Sequence, residues 1–75
     1  MTTMQSAHEQ QIHNRTATTE SLEAALHTAN FTAESLHAAL TTATATEAIV
    51  IMPMIGEARA LATRIDELLS AIRMP

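Results

Sequence analysis

Between Leu22 and Val50 the chain places residues at alternating steps of four and three: Leu22, Leu26, Ala29, Ala33, Leu36, Leu40, Ala43, Glu47 and Val50. All are apolar except Glu47. An α-helix turns once every ~3.6 residues, so this spacing keeps one side apolar for about four heptads. A strand would need alternation with period two, which is absent. The seam restricts this segment to a helix that lies along another helix.

The seam also repeats itself. Glu20-Ser21-Leu22 returns as Glu34-Ser35-Leu36, Ala24-Ala25-Leu26 as Ala38-Ala39-Leu40, and Thr28-Ala29 as Thr42-Ala43, each fourteen residues on. Two heptads separate the copies. Wide layers (Leu22 with Leu26, Leu36 with Leu40) therefore alternate with narrow ones (Ala29 with Ala33, then Ala43). Alanine lets a neighbouring helix come close, and the leucines fill the space between. On the opposite side, Ala24, Phe31, Ala38 and Ala45 recur every seven residues. A small amphipathic helix normally carries charge there, so this outer row is a candidate second contact centred on Phe31.

A second amphipathic segment follows. Met54, Ala58, Leu61, Ile65, Leu68 and Ile72 step four, three, four, three, four, with Glu57, Arg59, Arg64, Asp66, Glu67 and Arg73 among the rest. Proline is disfavoured in a helix interior and welcome in a first turn. The "AIVIMPMIG" junction thus predicts a first helix over about 16–51, a turn near 52–53 and a second helix over about 54–73. Residues 1–15 read as a polar arm or helical extension. Two other readings remain open. Thr44 and Glu47 have the spacing of a capping box, which would place the turn at 42–45 and Pro53 inside the second arm. A single bent helix is the third.

A turn at Pro53 sets Ile65 against Leu40, Leu68 against Leu36 and Ile72 near Ala33. It leaves Leu22, Leu26 and Ala29 without cover. The turn itself, with Ile49, Val50, Ile51, Met52 and Ile55, is apolar on all sides. Small chains struggle to build a core alone, and with fifteen alanines, one Phe and neither Tyr nor Trp this one has little large apolar surface. The expected fold is all-α: a long helix and a shorter one in an antiparallel, coiled-coil-like hairpin completed by oligomerisation. Leu22, Leu26, Ala29, Ala33, Leu36, Leu40, Phe31, Ile49, Val50 and Ile51 are the candidate interface residues.

Other functions find little support in these residues. Net charge is −4, Lys is absent, and residues 16–47 hold four Glu and no Arg, whereas a nucleic-acid binder needs a basic face. Without Cys there is no disulfide or thiolate metal site. His8 and His13 are five apart and His27 and His37 ten apart, but stacking two imidazoles on one helical face takes three or four. Ser21, Ser35 and His27 lack an oxyanion loop or a buried acid. With a single Gly, Gly56, a phosphate-binding loop of the usual kind is excluded. The Thr and Ala richness resembles alanine-rich antifreeze helices, but Ala39 and Ala43 stand eleven residues after Thr28 and Thr32, where those helices carry Thr. No catalytic residue, cofactor, metal or small-molecule substrate is expected. No apolar run approaches the ~20 residues of a membrane helix, and the N-terminus lacks the pattern of a signal peptide, so a cytoplasmic site, or a particle assembled there, is expected. The lack of Lys beside Arg, with abundant Ala and Thr, hints at a GC-rich bacterial or phage source. The sequence predicts a non-enzymatic assembly module that packs with copies of itself. The alternative is a small adaptor or inhibitor that binds a helix of another protein.

Overall fold

In the computed structural model two helices, α1 (Thr3–Ala39) and α2 (Ala45–Arg73), run antiparallel and pack against each other. Residues 3–74 are described, with side chains from residue 14 onward. No strand occurs among the described residues. The molecule is a rod of 66 × 18 × 13 Å.

The turn lies at residues 40–44, not at 52–53. Helix α1 tightens as it ends: the amides of Leu40, Thr41 and Thr42 donate to the carbonyls of His37, Ala38 and Ala39 at 3.1, 3.1 and 3.3 Å. These are three-residue bonds of the 3₁₀ kind, which take up carbonyls that a helix end leaves unpaired. The Thr41 hydroxyl adds a second donor to the Ala38 carbonyl at 2.7 Å. Thr44 then caps α2 from an extended conformation, φ −72° and ψ 165°. Its hydroxyl accepts the Glu47 amide at 3.1 Å, and the Glu47 carboxylate accepts the Thr44 amide at 2.9 Å. This reciprocal pair is the capping box that the Thr44–Glu47 spacing offers. Glu47 interrupts the heptad seam because it is the third residue of a new helix.

Thr44→Ala removes one half of that box. The expected loss is ~1 kcal/mol, seen as a melting temperature ~4–8 °C lower, with Thr44→Ser close to the parent. Thermal denaturation by circular dichroism checks it. Equal melting of Thr44→Ala and parent would show that α2 is held by packing alone.

Pro53 sits inside α2. It costs a bond, since the Ile49 carbonyl has no amide at residue 53 to accept from. Pro53 and Ile49 both face solvent, Ile49 at 73% exposure, so water can bind that carbonyl. A turn at Pro53 would instead strand Leu22 and Leu26. The earlier turn gives α2 the length to reach them: Leu22 and Leu26 pack against a cluster of Ala29, Ala62, Ile65 and Leu69. Burying aliphatic side chains at ~1.5–3 kcal/mol each outweighs a proline penalty of ~3 kcal/mol.

Among the described residues, the inward positions of the first helix and the turn after it are those the heptad seam names, with Thr19 added one step before Leu22. Ala29 and Ala33 are buried, and Leu22, Leu26, Leu36, Leu40 and Ala43 half-buried. In α2 the inner rows are Ile51, Ala58, Ile65 and Ile72 beside Ala48, Ile55, Ala62 and Leu69. The expected row of Met54, Leu61 and Leu68 is not among them and stays 43%, 49% and 49% exposed. The expected partners shift as well. Ile65 packs beside Ala29, not opposite Leu40, because α2 starts nine residues earlier than a Pro53 turn implies.

Candidate association surface

The hairpin has two unlike flanks. On one, Leu26, Asn30, Arg59, Ala62, Thr63 and Asp66 line a shallow groove. Near it Arg73 donates to Glu23 at 2.9 Å, with both side chains about half exposed. Side chains on a helix lean toward its N-terminus. On antiparallel helices Glu23 and Arg73 therefore converge although their backbones are offset. An exposed pair of this kind stabilises by ~0–1 kcal/mol and serves mainly to orient the two helices.

The other flank is apolar. A groove of about 540 Å³ runs between the helices, lined by Ala25, Thr28, Ala29, Thr32 and Leu36 from α1 and Met54, Glu57, Ala58, Leu61 and Ile65 from α2. Helical spacing continues the α1 side through Thr18, Ser21, Ser35 and Ala39, with no charged side chain among them. The threonines are less polar than they look. Thr18, Thr28 and Thr32 donate their hydroxyl hydrogens to the carbonyls of Asn14, Ala24 and Thr28 at 2.9, 3.0 and 2.8 Å. A hydroxyl satisfied within its own helix leaves the methyl to meet a neighbour, and covering it costs less than covering an unpaired one.

The candidate interface residues divide between the inside and the outside of the hairpin. Leu22, Leu26, Ala29, Ala33, Leu36 and Leu40 point toward α2, and Ile51 toward α1. Phe31, Ile49 and Val50 face outward at 62%, 73% and 62% exposure. Ala24, Ala38 and Ala45, which share the outer row with Phe31, are exposed too. The seven-residue spacing shows the Met54–Leu61–Leu68 row but predicts it inside the hairpin, whereas it lies on the flank. Ala25, Thr28 and Thr32 complete the flank; Ala25 and Thr28 belong to the fourteen-residue repeat, which does not by itself mark them as a surface.

His27 and His37 are exposed, and among the described residues no three of His, Cys, Asp and Glu gather at one point. His8 and His13 lie outside the residues whose side chains are described. No helix among the described residues is long and apolar enough to cross a membrane. The chain matches no protein-family model, no curated protein and no solved structure.

Proposed function

We propose that the protein is a non-enzymatic assembly module, a hairpin that packs with copies of itself through its apolar flank to build a coiled-coil-like bundle, as a subunit of a larger particle. One observation carries this reading: α2 has three apolar rows, and α1 covers two of them. Met54, Leu61 and Leu68 are left about half exposed beside a flank of Ala and self-bonded Thr. A chain of this size gains most from a second layer of helices, because among the described residues its core holds three large aliphatic side chains, Ile55, Ile65 and Leu69, besides alanine. The uncovered seam at Leu22 and Leu26 no longer supports association, since α2 of the same chain packs there. The neighbouring row takes its place.

Leu61→Glu combined with Leu68→Glu tests this. Both side chains already touch solvent, so the hairpin keeps its helicity while the assembly dissociates to single chains by light scattering. An assembly of unchanged mass would remove this flank as the contact. A parent chain that is monomeric, and orders further only on mixing with a helix of another protein, would favour an adaptor instead.

A further inference from the structure

The occupant of the apolar flank can be taken further, on the reading that the chain self-associates. We infer that a second copy docks there about a two-fold axis passing close to Leu61 and Thr28, with α2 antiparallel to the partner's α2 and the two turns at opposite ends. The charges at the groove rim choose this orientation. The flank of α2 reads Val50, Met54, Glu57, Leu61, Arg64, Leu68 and Ala71, stepping four, three, four, three, four, three. An antiparallel crossing at Leu61 brings Leu61 to the partner's Leu61 and Met54 to the partner's Leu68. It also brings Glu57 to the partner's Arg64 and Val50 to the partner's Ala71. Every apolar residue meets an apolar one, and each of the two rim charges meets its opposite, twice over by symmetry. A parallel crossing would set Glu57 on Glu57 and Arg64 on Arg64.

The first helix accommodates the same axis. Leu61 and Thr28 line the same groove, so an axis through one passes close to the other. On α1 it lies midway between Ser21 and Ser35, equivalent positions of the fourteen-residue repeat. Thr28 then meets its own copy, Ser21 meets the partner's Ser35, and Ala25 meets the partner's Thr32. All are small and uncharged, so the two first helices can approach closely. The acidic residues Glu23 and Glu34 fall on the other flank, and Glu20 on the outer face, by helical spacing. The overlap of the two hairpins runs for about 36 Å at ~1.5 Å per residue, across a body 18 Å wide. That amounts to about 650 Å² per protomer, within the ~1,200–2,000 Å² total of a stable interface. The product is a four-helix bundle of two hairpins.

Because the chain has no cysteine, single cysteines report the axis directly on the full-length protein. Under mild oxidation Leu61→Cys should form a covalent dimer. Met54→Cys should not, because two copies of that position lie ~21 Å apart, beyond the ~7 Å a disulfide spans. In the cysteine-free chain Glu57→Arg, which sets like charges together at two places, should weaken association about 30-fold at low salt. Adding Arg64→Glu to it should restore the parent affinity. Circular dichroism confirms that each variant stays helical. Cross-linking of Met54→Cys as readily as Leu61→Cys, or a charge reversal without effect on an associating parent, would overturn the antiparallel register and leave self-association standing. A parent chain that stays monomeric would overturn both.

Discussion

Leu69→Ala should cost ~2–5 kcal/mol and lower the melting temperature by ten degrees or more. Leu69 is 1% exposed, the one large side chain fully enclosed among the described residues, and it packs among Ala29, Ala62, Ile65, Leu22 and Leu26. Its neighbours include two alanines and helix backbone, which collapse poorly into a void, so the cavity cost adds to the lost burial. Against a total of roughly 4–11 kcal/mol for a chain of this length, that is a large share. The adjacent leucine is the control. Leu68 is half exposed on the apolar flank, so Leu68→Ala leaves the hairpin core intact and weakens only association. The two variants should be melted at one fixed concentration, because association adds to apparent stability. Equal losses for Leu68→Ala and Leu69→Ala at a concentration where the parent is monomeric would mean that the inner rows of α2 are not Ile55, Ala62 and Leu69.

The second large effect has the opposite sign. Pro53→Ala should stabilise by about 2 kcal/mol. Proline in a helix interior costs ~3 kcal/mol relative to alanine. The freer unfolded chain of the alanine variant returns ~0.4–1 kcal/mol of that. Both Pro53 and the residue four before it face solvent, so the new methyl group meets no obstruction and the new amide completes the bond to the Ile49 carbonyl. The melting temperature should rise by about 8–16 °C. A proline in a first helical turn has no such penalty to relieve. An unchanged or lower melting temperature would therefore return the turn to residues 52–53.

These two residues also show how far sequence reasoning reaches here. The seam on α1 is legible from Leu22 onward, because along Leu22 to Ala43 every large apolar residue but Phe31 falls on one row pair and the remainder is Ala, Thr, Ser, Glu, His or Asn. The turn was legible only as an alternative. Its signal, Thr44 and Glu47, is a local gain of ~1 kcal/mol, set against a proline whose local cost is larger. What decides between them is the length of α2 needed to cover Leu22 and Leu26, and that is a property of the pair of helices. The inner face of α2 was half legible for a similar reason. Ala58, Ile65 and Ile72 have apolar neighbours on both sides: Met54, Leu61 and Leu68 on one, Ile55, Ala62 and Leu69 on the other. A three-row face spans ~100°, wider than one neighbouring helix covers. Periodicity shows that such a face exists but not which edge α1 takes. The surplus row is the reason the chain reads as incomplete by itself.

Sedimentation equilibrium of the purified chain across the micromolar range tests self-association most directly. A self-packing hairpin predicts a helical species of at least twice the 8.1 kDa chain mass, dissociating on dilution. A cooperatively folded species that holds 8.1 kDa at every concentration would contradict it.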